Sequence, residues 1–354
     1  MMAASPILLA CLVLLPVALA QNCVHSVPLW PHQNASTHFT ATLDSSSVPV
    51  EDFHGAHLVP FSLGGPQCTP SGRRSTVLVL SAVSGQRVVS FTVRPAALNV
   101  SAEVSEDQKA LRISLPETID TGVQLVITIN SLPMVVVMVD QYDASLDEFH
   151  ARGRTVLDVT QKPYNADPTG KHVAGAALQR ALDDATFGNV VLVPPGVYSL
   201  THTLNWTASA SGVTLFLNRG ATLRTVSNRS QLYMVPHTKY YFLEPLMVLK
   251  GAVDVSIRGR GNLDANGFAL MGPKPKKQLQ AGGSLSHDVT WAYRRRCLDS
   301  DYSGLSKRPA NVFVEGISIR DATTWSLAVA NVTGLIVKGV KVSFIYRYIS
   351  RESC

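Results

Sequence analysis

The chain has 354 residues, 46% of them hydrophobic and 16% charged, with a formal net charge of +6. Such a composition supports a sizeable core, admits two domains and excludes a disordered or solvating chain. The charge is uneven: residues 1–150 hold 6 basic and 12 acidic side chains, whereas residues 151–354 hold 25 and 13.

At the N-terminus, Ile7 to Val17 is almost wholly apolar, and Ala18-Leu19-Ala20 forms a small-x-small cleavage site before Gln21. Residues 1–20 are therefore predicted to be a secretion signal, although no Lys or Arg precedes the apolar run. No later run reaches the ~18 apolar residues of a membrane span. The mature protein is expected to be secreted, soluble and free of any membrane partner. Five N-x-S/T sequons, at Asn34, Asn99, Asn205, Asn228 and Asn331, fit a eukaryotic secretory route and are the candidate glycosylation sites. Of five cysteines, Cys11 leaves with the signal. Cys23 and Cys68 are a candidate disulfide, and Cys297 and Cys354 are the other possible pair. No Cys-x-x-Cys and no His/Cys metal spacing occurs, so neither a metal nor a cofactor is expected.

Residues 21–143 read as strands. The runs "STVLVLSAV", "RVVSFTV", "ALRISL", "VQLVITIN" and "MVVVMVD" are short, apolar and bounded by turn residues. Val123, Leu125, Ile127 and Ile129 alternate strictly, which predicts one buried face and a β-sandwich. Residues 144–154 are polar without a strand pattern and read as the linker. A helix is predicted next, in "HVAGAALQRALDDA", with Val173, Ala177, Leu178, Ala181 and Leu182 on one face. Such a helix can cap an open end of sheet.

From residue 155 onward the chain repeats itself. "VVLVPPGVYSL", "GVTLFLNRGATL", "DVSIRGRGNLD", "NVFVEGISIRD" and "GLIVKGVKV" are apolar-Gly-apolar phrases. In the last two, Val314 aligns with Val337, Gly316 with Gly339 and Ile319 with Val342. A period in the low twenties of residues marks stacked repeats. One coil cannot bury its own inner face, so the next must stack on it about 4.8 Å away. The glycines supply the positive φ of sharp corners. The expected fold is all-β, a sandwich followed by a parallel β-helix over residues 155–354 with an N-terminal cap helix. A leucine-rich repeat fits poorly, because L-x-x-L-x-L is absent. Residues 265–308 break the rhythm, with Lys274, Lys276, Lys277, Trp291, Tyr293 and Arg294-Arg295-Arg296. Such excursions usually wall a binding groove.

"YNADPTGKHVAGAALQRALDDA", "VLVPPGVYSL" and "GVTLFLNRGATL" resemble the opening of the pectate-lyase-like, right-handed parallel β-helix superfamily. "IRGRGNLDANG" is similar to the "GxGxIDGxG" phrase of polygalacturonase-type glycoside hydrolases, and "KRPANVFVEGISIRDATTWSLAVANVTGLIVKGVKV" resembles their following block. The sandwich looks like the one that precedes the β-helix in dextranase and isopullulanase type enzymes. The resemblance spans about 190 residues and implies a secreted, polysaccharide-acting, inverting hydrolase. It sets Arg308 on the family's RP pair and Trp325 on its tryptophan, both implied substrate contacts. Asp264 lies in a phrase that faces the family's groove, and its bland alternative is a turn aspartate bonding the backbone.

Inverting hydrolysis needs two carboxyl groups about 6.5–9.5 Å apart with water between. The resemblance puts these on N-T-D and D-D phrases, with H-G and R-x-K after them, all following Val342. The tail "SFIYRYISRESC" holds none of them, so no catalytic residue is assigned and the carboxylates are expected beyond Cys354. Asp183-Asp184 in the cap helix and His54-Gly55 in the sandwich stand in the wrong order and domain for the part. Asp299 and Asp301 read as loop charge. The expected partner is a polysaccharide, acidic if the basic half meets it, and not nucleic acid; a monomer is expected. The alternatives are a dextranase-like α-glucan hydrolase, a pectate-lyase-type eliminase, or an inactive carbohydrate-binding β-helix.

Overall fold

The computed structural model describes residues 24–65, 76–115, 122–228, 234–236, 241–243, 246–271, 286–287, 310–322, 326–327 and 332–343. Two bodies of sheet account for most of them.

The first is a β-sandwich. One sheet contains Ala56–Leu63, Val135–Gln141, Val123–Ile129 and Phe91–Arg94, and the other contains Phe39–Leu43, Val77–Ala82 and Ala110–Ser114. Leu125, Ile127 and Ile129 from one sheet face Leu78, Leu80, Leu111 and Ile113 from the other, all buried. The alternation read from residues 123–129 is thus the inward face of a two-layer core. Most pairs are antiparallel, but Ala56–Leu63 and Val135–Gln141 run parallel, which brings residues far apart in sequence to neighbouring positions.

The second body is a parallel β-helix. Its first stack holds Val156–Asp158, Val190–Val193, Thr214–Leu217, Val253–Gly259, Ala310–Glu315 and Thr333–Lys338. Its second stack holds Thr169–Val173, Gly196–Leu200, Ala221–Thr225, Asn262–Asp264, Ser318–Arg320 and Lys341–Ser343. Every pair within these stacks is parallel. Like residues align in columns: Leu157, Val191, Leu215, Ile257, Val314 and Val337 in the first stack, and Tyr198, Leu223, Leu263, Ile319 and Val342 in the second. The Val314–Val337 and Ile319–Val342 alignments seen in the sequence are the observed register. A third, shorter stack pairs Leu204–Thr207 with Met247–Lys250. Its Trp206 is fully buried and donates Nε1–H to the carbonyl of Ala210 at 2.8 Å.

The cap helix is Gly175–Asp184, with Leu178, Ala181 and Leu182 on the end of this core. Val173 departs from the expectation. It closes the strand Thr169–Val173 and is exposed, because the helix starts only after Ala174 and so never turns Val173 inward. The stretch 144–154 is helical over Ser145–Ala151. Its Phe149 packs edge-on against Phe216, with ring centroids 5.8 Å apart, on the outer face of the first stack beside Val190 and Leu192. Most of the 265–308 excursion lies outside the described residues.

Candidate functional site

Asp264 ends its strand in an outward-facing column of the second stack. The column reads Ser199, Arg224, Asp264, Arg320, Ser343. Stacking forces these side chains about one strand spacing apart, so Asp264 lies between two arginines and pairs with Arg224. Arg224 Nε donates to Asp264 Oδ2 at 3.2 Å, and Arg224 Nη2 donates to Asn266 Oδ1 at 2.7 Å. Asp264 Oδ1 accepts the Asn266 N–H at 2.8 Å. The local bond is the Asx turn that a strand-ending aspartate makes; the Arg224 bond is the work of the stack.

The sandwich lies over this column. Glu51 Oε1 accepts from Arg320 Nη2 at 2.5 Å, and the same guanidinium lies 4.7 Å above the Phe53 ring. His32 Nε2 lies 3.9 Å from Asp264 Oδ2, and His54 Nε2 lies 3.9 Å from Asp321 Oδ2. Phe268 closes the cluster: its ring stacks on His54 at 4.2 Å, and its N–H donates to Asp321 Oδ2 at 2.9 Å. Further along the seam, Lys341 Nζ meets Asp140 at 2.7 Å and Arg260 meets Asp143 at 3.3 Å. Arg219 donates to Ser62 Oγ and, at 3.3 Å, to the carbonyl of His25.

Burial sets the ionisation of this cluster. It pushes Asp321 up to about 6, the nearby Asp264 charge adding to the rise and the Phe268 N–H and Arg320 opposing it. Burial also drives His32 down to about 4, helped by Arg224 and Arg320 and opposed by Asp264. His54 is lowered as well, chiefly by burial. A carboxyl that titrates near 6 has the ionisation of a general acid. Access argues against that use: Asp264 and Asp321 are 8% and 7% exposed beneath the sandwich, and a polymer chain cannot reach them. As placed, the cluster fastens the two bodies together. Among the described residues, no group of three or more His, Cys, Asp and Glu side chains is arranged to hold a metal.

Arg308 and Trp325, the other two implied substrate contacts, lie outside the described residues, as do Cys23, Cys68 and Asn331. Asn34 and Asn99 are exposed, and Asn228 is at the surface. Asn205 sits half-buried on the third stack, where its Nδ2 donates to the carbonyl of Thr203 at 3.1 Å. Sequence reading alone did not single out Glu51, His32, Asp321 or Arg320. For Arg320 a signal existed, because aligning "GNLD" with "ISIR" by their apolar residues places it beside Asp264. For Glu51 and His32 there was none, since they come from the other body.

No family model matches the chain, and no curated protein matches it in sequence. Solved structures resemble it at low identity. A Yersinia enterocolitica family 28 exopolygalacturonase is 13% identical, with a TM-score of 0.38, over 76% of this chain and 57% of that one. Dex49A from Penicillium minioluteum is 12% identical, with a TM-score of 0.41, over 90% of this chain and 60% of that one. A hyperthermoactive exopolygalacturonase from Thermotoga maritima is 15% identical, with a TM-score of 0.39, over 57% of this chain and 51% of that one. The chain thus spans between half and two thirds of the length of these three. Its own rung-by-rung pairing makes it a parallel β-helix preceded by a β-sandwich.

Proposed function

We propose that this chain is a secreted, polysaccharide-acting glycoside hydrolase of the polygalacturonase-like type, working with inversion. The observation that carries the reading is the order of its motifs along one stack. The "PPGVY" phrase supplies the strand Gly196–Leu200, the "GATL" phrase Ala221–Thr225, the "GNLD" phrase Asn262–Asp264, and the "ISIR" phrase Ser318–Arg320, in successive rungs. An ordered series of turn and strand phrases on successive coils is far more specific than any one of them. The excess of Lys and Arg after residue 150 favours an acidic polymer by long-range attraction. Asp264 and Asp321 are buried under the sandwich, so this reading places the hydrolytic carboxylates elsewhere.

That same burial favours a second reading, in which the chain binds carbohydrate without cleaving it. Incubation of the purified protein with polygalacturonate and with dextran separates the two. Reducing ends released from polygalacturonate, with the product anomer inverted by NMR, are expected. Release from dextran instead would move the substrate to α-glucans, and calcium-dependent unsaturated products would mark an eliminase. Retention by immobilised polygalacturonate without release would establish the binding module. Neither binding nor release with either polymer overturns both readings.

A further inference from the structure

Between the sandwich and the second stack lies a cavity of about 70 Å³. It is too small for a sugar residue, since ligand pockets run to about 300–1,000 Å³, but it has room for a few waters or one small ion. Its ionic lining is Arg219, Arg260, Arg320 and Lys341 against Glu51 and Asp140, four cations to two carboxylates. Three of those cations have a carboxylate partner: Arg320 has Glu51, Lys341 has Asp140, and Arg260 has Asp143 from outside the lining. Arg219 has only the neutral oxygens of Ser62 and His25, with no ion-pair partner among the described residues. Burial lowers its guanidinium to about 10, and the neighbouring Arg260 adds to this while Asp140 and Asp143 oppose it. The Arg320 guanidinium is already engaged, by Glu51 and by the face of the Phe53 ring. A cation without an ion pair, in a lining of four cations and two carboxylates, favours a negative ligand.

We propose that this cavity is a binding site for one small inorganic anion of chloride size, which balances Arg219. All four cations come from the β-helix and both carboxylates from the sandwich, so the ion offsets the surplus positive charge that docking covers.

The test uses the full protein in sodium gluconate, whose anion is too large for the cavity, titrated with sodium chloride at constant ionic strength. A saturable rise in the unfolding midpoint of about 2–4 °C is expected. The rise should vanish in Arg219→Gln and persist in Arg152→Gln, a change on an exposed helix end. Identical midpoints in the two salts, or a full chloride response in Arg219→Gln, would overturn the site. If Arg219→Gln does not fold, crystals of the unaltered protein soaked in bromide decide the matter. An anomalous peak in the cavity beside Arg219 supports the proposal, and water alone at that position refutes it.

Discussion

Asp321 and His32 belong to one cluster, and burial moves them in opposite directions, to about 6 and about 4. The consequences for stability have opposite signs. For Asp321 the folded state holds its proton more tightly than the unfolded state. Its charge therefore opposes folding above pH ~6, and that penalty disappears as the pH falls towards 3.8. For His32 the folded state refuses the proton, so stability is lost as the pH falls from 6.5 towards 4. The two slopes oppose each other across pH 4–6, and each single variant should expose the other. Asp321→Asn keeps an acceptor for the Phe268 N–H and is expected to gain about 1–3 kcal/mol at pH 8, with the gain fading as the pH falls from about 6 towards 3.8. His32→Gln should reduce the acid loss. Urea unfolding at pH 4.5, 6 and 8 checks both. A less stable Asp321→Asn protein at pH 8, or an unchanged acid slope in His32→Gln, would show that the cluster is not ionised as described. At this scale the sequence was only partly legible. Asp264 stood out because a motif surrounds it, whereas Asp321 follows an arginine in an ordinary strand phrase and acquires its property from what covers it.

Elements were more legible, because their signals are local or periodic. The alternation at residues 123–129, the repeat at Val314 and Val337, and the apolar face at Leu178, Ala181 and Leu182 all state a burial pattern that the backbone must honour. What the pattern left open was where elements begin and what covers their outer faces. Val173 fell on the strand side of a boundary, and the polar stretch 144–154 became a helix because Phe149 found Phe216. Corner glycines show how closely the coils approach. At Gly316, φ is +76°, and an added Cβ would lie 1.8 Å from Arg260 Nη1 and 2.6 Å from the Gly259 carbonyl oxygen. Gly55, in a sandwich hairpin, has φ of +94° with nothing within 4 Å of an added Cβ. Gly55→Ala therefore meets backbone strain alone, about 1–2 kcal/mol, while Gly316→Ala must also displace backbone. Thermal denaturation of the two variants should rank Gly316→Ala clearly lower. Equal midpoints would mean that the coil corner is looser than its geometry.

At the scale of the whole molecule, the sandwich and the β-helix are joined by charged groups as much as by apolar ones. Arg320 and Glu51 are both nearly buried and bond at 2.5 Å. Removing one member of a buried pair leaves an uncompensated charge, so Glu51→Gln is expected to cost about 3 kcal/mol. Glu103→Gln breaks a pair with Arg112 in which both side chains are largely exposed, and it should leave the midpoint unchanged. Denaturant unfolding of both variants checks this, and comparable losses would sink the idea of a buried interdomain clamp.

The sequence by itself determined the two kinds of sheet, the register of the coils and the cap, because period and alternation encode which face is buried. It also carried the resemblance on which the proposed activity rests. Only the tertiary structure decided that Asp264 is covered rather than open, that His32 and His54 face aspartates from another body, and that Arg219 has no carboxylate partner among the described residues. Those facts depend on desolvation and on distances across more than two hundred residues of chain, and no local pattern records either.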